Sequence, residues 1–292
     1  MYELVQVSEQ CYYVNCPAKI GVYVQKGQDV YLVDSGNDKD AGRKVRQILD
    51  KQGWKLCGIL NTHSNADHIG GNRYLQGQTG CKIFTKGMEA AFTKDPLLEP
   101  SFLYGGYPCK DLRHKFLMAQ GSEVTDVTDK DFPKEVKVIP LPGHFLDMVG
   151  YQMPDGTVYL ADCVSSEATL EKYAVSFIYD VKAYLETLDL VEKMEGKVFV
   201  PTHAEVTEDM NPLVRCNREK VLEIAGRIKA ICEEPKCFER ILQEIFQGYK
   251  LTMNFEQYVL VGSTIRSYLA WMKDLGSLSV AFEDSMLLWK TV

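Results

Sequence analysis

No run of apolar residues in this 292-residue chain approaches the roughly 20 that a bilayer-spanning helix needs. The first six residues, MYELVQ, contain neither a basic patch nor an apolar core, so we expect no export signal. The nine cysteines lack the spacing of a disulfide framework, which is typical of reduced thiols in a cytosol. Basic residues number 33 against 40 acidic ones, and this balance disfavours nucleic acid as the main partner. These absences predict a cytoplasmic globular protein that has no membrane partner.

The first third of the chain alternates between strand and helix patterns. Residues 21–25 and 29–33 are rich in β-branched and aromatic side chains and flank a glycine-containing turn. Apolar residues recur at helical spacing over residues 38–52, and residues 55–61 return to strand character. A strand that leads into a helix and then into another strand indicates a layered α/β fold.

Residues 90–134 contain clustered proline, glycine and aromatic residues, including the run LYGGYP at residues 103–108. Long excursions of this kind are often active-site lids, but an ordinary surface insertion fits the pattern equally well. Both interpretations stay open at this point.

The composition changes near Thr207, which predicts two domains, residues 1–206 and 207–292. The second contains three helical patterns and two short apolar runs at its end, so we expect a mostly helical module with a terminal hairpin. This is the outline of a winged helix. After residue 204 the chain holds 11 basic and 13 acidic residues, a balance that does not make a DNA-binding face. We therefore expect the module to pack on the first domain or to form a homodimer.

Histidine is scarce, and four of the five histidines fall just after predicted strands, each in a short loop. Loops that follow strands are where α/β folds place ligands. Imidazole and carboxylate groups together suit zinc, iron or manganese, so the pattern predicts a divalent metal centre. The candidate ligands are His63, Asp67, His68, His144, Asp162 and His203. Gly70 and Gly71 would let the backbone turn tightly beneath the ions, whereas His114 is interpreted as an ordinary surface or core residue.

The segments that carry these residues resemble the metallo-β-lactamase superfamily. The matching segments are residues 32–36 (LVDSG), 63–68 (HSNADH), 142–144 (PGH), 161–162 (AD) and 201–203 (PTH). The resemblance implies a four-layer αββα sandwich with a metal centre at one edge. The helical tail further resembles the members of the superfamily that carry a C-terminal winged helix.

The resemblance also implies a division of labour among the candidate residues. His63 and His144 would hold one ion, and Asp67, His68 and His203 would hold the other. Asp162 would bridge the two ions, and Asp34 would support the ligands from behind.

The sequence departs from the family pattern H-x-H-x-D-H at one position, where Asn65 replaces the second histidine. A neutral amide oxygen is a poorer ligand than imidazole for a borderline metal. We therefore expect the site of Asp67, His68 and His203 to be loaded and the site of His63 and His144 to be weak, empty or filled by manganese or iron. Asp147 could lend a carboxylate to the His63/His144 site, but a turn residue or supporting acceptor is the favoured interpretation. Cys163 should face away from the metal, because neighbouring residues on a strand point to opposite faces.

The function predicted from these observations is a metal-dependent hydrolase, with zinc as the first candidate and one or two ions. A metal-bound hydroxide would attack a small ester, thioester or related substrate, and Asp67 and Asp162 would orient it. The alternative is a non-hydrolytic metal-binding or redox protein, di-iron-like or a sensor, with a degenerate His63/His144 site. An exposed basic face at Arg266 and Lys273 would favour a sensor that contacts DNA. Burial of Tyr268, Leu269 and Met272 would favour packing.

Overall fold

Two β-sheets packed face to face form the centre of the molecule in a computed structural model, which describes residues 2–292. The first sheet has seven strands in chain order, antiparallel from β1 to β4 and parallel from β4 to β7. Its strands are β1 (Glu3–Gln6), β2 (Cys11–Asn15), β3 (Ile20–Lys26), β4 (Asp29–Val33), β5 (Lys55–Leu60), β6 (Lys82–Thr85) and β7 (Thr125–Asp126). The second sheet has the order β11-β10-β9-β8, in which only β10 and β11 are parallel. Its strands are β8 (Lys137–Pro140), β9 (Val149–Gln152), β10 (Thr157–Ser165) and β11 (Val198–His203).

Helices cover the outer faces of both sheets. The helices of the first 206 residues are α1 (Lys39–Gln52), α2 (Ala66–Ile69), α3 (Asn72–Thr79), α4 (Glu89–Lys94), α5 (Leu98–Tyr104), α6 (Glu167–Tyr173) and α7 (Val181–Glu192), with a short 3-10 turn at Lys110–Leu112. The apolar faces of α1 and α3 pack on the first sheet, and α7 packs on the second. Aromatic side chains that include Tyr23, Tyr151 and Tyr159 fill the space between the sheets. The predicted αββα sandwich is therefore confirmed.

Local sequence explains where α1 begins and ends. Asp38 is its N-cap, and the carboxylate accepts a hydrogen bond from the backbone N–H of Ala41 at 2.9 Å. Gly53 ends the helix in the left-handed conformation, which glycine adopts without a steric penalty. This N-terminus is positioned directly after the loop that contains Asp34.

The last 86 residues form a helical region that ends in a hairpin, as expected. Its elements are α8 (Asn211–Ile231), α9 (Phe238–Tyr249), α10 (Phe255–Asp274), β12 (Leu278–Glu283) and β13 (Met286–Thr291). Tyr268, Leu269 and Met272 of α10 are buried in the same apolar core as residues of β10 and α7. The guanidinium of Arg266 lies over the ring of Phe238, 3.7 Å from its centroid. This face of α10 therefore packs on the sandwich, while Arg266 and Lys273 on the same helix are exposed.

None of the helices that the structure describes between residues 2 and 292 is long and apolar enough to cross a membrane.

Candidate metal centre

The six candidate ligands meet at one edge of the sandwich and form two groups that share one residue. The first group is Asp67, His68, Asp162 and His203, and the second is His63, His144 and Asp162. Within each group the potential ligand atoms all lie within 4.8 Å of one another. His114 belongs to neither group, and its Nε2 lies 3.7 Å from a carboxylate oxygen of Glu256. The arrangement has the shape of two adjacent metal positions that share the Asp162 carboxylate.

The local structure differs from the prediction that each candidate follows a strand in a loop. Asp67 and His68 lie in the short helix α2, Asp162 lies inside β10, and His203 is the last residue of β11. Strand β10 continues past Asp162 because its pairing with β11 shifts register around Ala161, which has a left-handed φ of 51°. A bulge of this kind re-aims a side chain without ending the strand, and its backbone strain is typical of functional sites.

The two glycines after His68 serve a different purpose from the expected tight turn. Gly70 has φ −60° and ψ −30°, which is ordinary helical backbone. A Cβ on Gly70 would lie 2.3 Å from the carbonyl carbon of Asn37, and a Cβ on Gly71 would lie 2.4 Å from the carbonyl oxygen of Ser35. The prediction about backbone freedom is wrong: the absence of side chains lets this segment pack directly on the loop after β4.

Asp34 lies behind the first group and connects three parts of the site. Its carboxylate accepts hydrogen bonds from the Thr62 backbone N–H at 2.8 Å and from the Thr62 hydroxyl at 2.7 Å. It also lies 2.8 Å from Nδ1 of His68, which therefore carries the proton in the neutral ring and donates it. This leaves the lone pair on Nε2 of His68, directed at the candidate metal position. Asp34 is itself held at a left-handed φ of 64°.

A chain of hydrogen bonds from Asp34 through Thr62 sets the tautomer of His63. Because the Thr62 hydroxyl donates to Asp34, its oxygen can accept from Nδ1 of His63, which lies 3.0 Å away. The Nδ1 of His144 lies 3.0 Å from the carbonyl oxygen of Phe177 and donates to it. Both rings therefore present an unprotonated Nε2 to the site, which is the form that binds metal. Sequence reasoning missed these partners, since a threonine before the motif and a distant carbonyl carry no recognisable signal.

A lysine holds the backbone on both sides of His203. The ammonium of Lys19 donates to the carbonyl oxygens of Thr202 and Ala204, at 3.2 and 2.6 Å, on either side of His203. Burial lowers the pKa of Lys19, while nearby acidic groups that include Asp162 oppose that shift. Lys19 thus connects the loop before β3 to the end of β11. No motif indicated this role.

Unpaired polar atoms show that the residues present fit a divalent ion. Among residues 2–292, Nε2 of His63, Nε2 of His68 and Oδ1 of Asp162 are buried and have no hydrogen-bond partner. Buried polar groups normally have partners. Nε2 of His68 and Oδ1 of Asp162 are 3.2 Å apart but are not aligned for a hydrogen bond. Two ligands that are each about 2.1 Å from one ion lie roughly 3 to 3.5 Å apart. The separation is that expected of two ligands of one ion.

The electrostatics of the two groups differ. Burial and the neighbouring His68 lower the pKa of His63, and burial likewise lowers the pKa of His144, so both rings are neutral. Burial opposes protonation of His68 and His203, but Asp162 and Asp67 outweigh it and raise both pKa values, that of His203 to about 10. The carboxylates thus favour positive charge in the first group. A divalent ion can supply that charge in place of the protons.

Two further acidic residues lie near the second group. The sequence analysis considered Asp147 but overlooked Glu99. Asp147 accepts a hydrogen bond from the backbone N–H of Met88 at 2.7 Å, so its carboxylate supports a turn and belongs to neither group. Glu99 of α5 was overlooked; it is 5% exposed and accepts a hydrogen bond from Asn65 Nδ2 at 2.8 Å. The sequence signal that could have pointed to Glu99 is the presence of a carboxylate within the apolar run around Leu98 and Phe102. Cys163 is buried in the apolar core.

Residues 90–134 reach the site through α5. Phe102 packs edge-on against Phe145 and Tyr179, with ring centroids 6.2 and 5.4 Å apart. On the side away from the site, Leu103 packs in a small cluster with Val259 of α10. The insertion therefore forms part of the wall beside His144 and is held by the C-terminal helices.

Comparison with known proteins identifies the family. The family model described as "Metallo-beta-lactamase superfamily" matches residues 19–203, which contain all six candidate ligands. The chain belongs to the metallo-β-lactamase superfamily. The resemblance seen in the motifs is thereby confirmed.

Individual relatives agree with this assignment. The chain is 25% identical over 199 residues to Beta-lactamase-like protein 2 homolog of Drosophila melanogaster, covering 63% of this chain and 61% of that protein. It is 32% identical over 144 residues to hydroxyacylglutathione hydrolase of Rhodopseudomonas palustris, covering 47% of this chain and 48% of the enzyme. The chain thus spans 61% and 48% of the lengths of these two relatives. The crystal structure of a Beta-lactamase domain protein from Burkholderia ambifaria shares the fold, with a TM-score of 0.75 at 15% identity over 99% of this chain and 94% of that one.

Membership in the superfamily leads to a prediction for Asp34. Asp34→Ala removes the acceptor that fixes His68, so we expect metal affinity of the first group to fall about 10- to 100-fold. Equilibrium dialysis of apoprotein against Zn²⁺ measures the change. Asp40→Ala, on the exposed side of α1 in a pair with Arg43, is the matched control and should leave affinity unchanged. Equal affinities for the two variants would contradict the role of Asp34.

Proposed function

We propose that this protein is a metal-dependent hydrolase of small esters or thioesters, with zinc as the first candidate metal. The observation that carries the proposal is the pair of ligand groups that share Asp162, with buried and unpaired imidazole nitrogens. A divalent ion held there supplies Lewis acidity and lowers the pKa of bound water to about 7. The hydrolase name of the Rhodopseudomonas relative supports this reaction class.

The protein's own residues divide the remaining work. Asp67 has a side chain that is 41% exposed, and its Oδ2 lies 3.5 Å from Nε2 of His203. It can therefore hold a water at the open side of the site and take its proton. The water oxygen bonds to the carbonyl carbon, the carbon–sulfur or carbon–oxygen bond breaks, and the proton passes to the leaving thiolate or alkoxide. The products are a carboxylate and a thiol or alcohol.

The wall beside His144 supports an apolar substrate group. Phe177 lies with its ring centroid 5.6 Å from that of His144, and Phe102 packs against Tyr179, which is 37% exposed. Aromatic walls of this kind bury an apolar acyl or leaving group while a few polar groups fix the reacting carbonyl. The chain's acidic balance disfavours phosphodiesters of nucleic acids as substrates.

A panel of chromogenic substrates tests the proposal. We expect metal-loaded protein to hydrolyse thioesters or esters at a rate at least about 100-fold higher than the metal-free protein. A single group that stabilises the charge of the transition state typically contributes a factor of this size. Full chelation should abolish this activity, and added Zn²⁺ should restore it. Activity that survives chelation, or a preference for phosphodiesters over all carbonyl substrates, would contradict the proposal.

A further inference from the structure

The amide of Asn65 is held on both sides at the position where the family pattern has a histidine. Its Nδ2 donates to Oε1 of Glu99 at 2.8 Å, and its Oδ1 lies 3.1 Å from Nε2 of His144. Because Oε1 of Glu99 accepts the hydrogen bond from Nδ2, the opposite end of the amide, Oδ1, is the one that faces the histidines.

Neither of the two atoms that meet between Asn65 and His144 carries a proton. Nδ1 of His144 donates to the carbonyl oxygen of Phe177, so Nε2 of the neutral ring carries a lone pair. Oδ1 of Asn65 is also an acceptor, and the two lone-pair atoms face each other at 3.1 Å. The buried Nε2 of His63 is a third acceptor in the same group and has no partner among residues 2–292. These three acceptor atoms repel one another when no cation lies between them. A cation placed there would be coordinated by all three.

We propose that Glu99 is a positioning residue that presents Asn65 Oδ1 as a protein ligand of the metal position formed by His63 and His144. The inference rests on the proposed metal-dependent function and adds a ligand to its weaker position. Two imidazoles, an amide oxygen and the shared Asp162 carboxylate form a donor set richer in oxygen than one with three imidazoles. Such a set shifts preference toward Mn²⁺, Fe²⁺ or Co²⁺ relative to Zn²⁺.

The fold holds Glu99 in place for this role. It lies in α5, where Phe102 packs against Phe145 on the site side and Leu103 packs with Val259 of α10 on the other. The helix is thereby fixed between the sandwich and the C-terminal region. A buried carboxylate on a fixed helix has little freedom to leave its partner, so the Asn65 amide keeps one orientation.

Metal titration of three variants tests the inference. Apoprotein is titrated with Co²⁺, whose visible absorption bands distinguish positions with different donor sets, and thermal stability of the apoprotein is measured alongside. The variants are Asn65→Ala, Glu99→Met and the double variant. Methionine has similar length and no charge, so the buried position can accept it without unfolding the chain. We expect each single variant to weaken the His63/His144 position by about 10-fold or more and to leave the other position unchanged.

Non-additivity is the decisive result. If Glu99 acts through Asn65, the double variant binds Co²⁺ no more weakly than Asn65→Ala alone. Glu99→Gln keeps an oxygen that can accept from Asn65 and should recover part of the affinity. Additive losses, equal weakening of both positions, or a lower melting temperature with unchanged affinity would overturn the inference. If wild-type apoprotein binds no Co²⁺ at either position, the proposed function itself fails.

Discussion

Asp162→Asn should reduce hydrolysis by at least about 100-fold and remove one metal equivalent per chain, because Asp162 belongs to both ligand groups. His203 and His68 hold the pKa of Asp162 well below its usual range despite burial, so the native residue is a carboxylate at any working pH. An asparagine keeps the shape but cannot carry the charge that two adjacent cations need between them. Metal analysis and turnover measured on the same sample check both parts of the prediction.

Asp147→Asn is the matched control for this experiment. It makes the same chemical change to a carboxylate close to the His144 loop that belongs to neither group. We expect it to keep the wild-type metal content. A wild-type metal content in Asp162→Asn, or an equal loss in both variants, would show that Asp162 does not bridge the two positions.

Ile265→Ala should destabilise the whole chain by about 2–5 kcal/mol and not only the C-terminal helices. Ile265 of α10 is fully buried in a core that also contains Leu188 of α7 and Leu160 of β10. We propose that residues 1–206 and 207–292 differ in architecture but unfold together, because this core crosses the boundary between them. Leu188→Ala should have an effect of the same size from the other side of the boundary.

Tryptophan fluorescence can follow each side separately. Trp54 is in the sandwich, while Trp271 and Trp289 are in the C-terminal region. In Trp54→Phe and in the double variant Trp271→Phe/Trp289→Phe, Ile265→Ala should shift the unfolding midpoint equally. Leu222→Ala, at a position 54% exposed on α8, is the matched control and should change stability by less than about 0.5 kcal/mol. Separate midpoints for the two probes would show that the regions unfold independently.

Sequence reasoning was most effective where the signal is local or carried by a motif. The capped helix α1, the C-terminal helices and the terminal hairpin follow from periodicity and turn residues, which report burial along a single element. The assumption that ligands follow strands in loops was wrong for Asp162, because a shift in pairing with β11 lets β10 run on to Ser165. Pairing registers between strands about 40 residues apart leave no mark in either strand alone.

The motifs alone were enough to find the imidazoles and carboxylates, to assign the family and to notice that asparagine stands at position 65 in place of a histidine. The contact between Glu99 and Asn65 across 34 residues, and the carbonyl of Phe177 that sets the tautomer of His144, became visible in the folded chain. The same holds for the core that the C-terminal helices share with the sandwich. The physical reason is that side-chain chemistry is a property of each residue, whereas orientation and partnership depend on the path of the chain between distant residues.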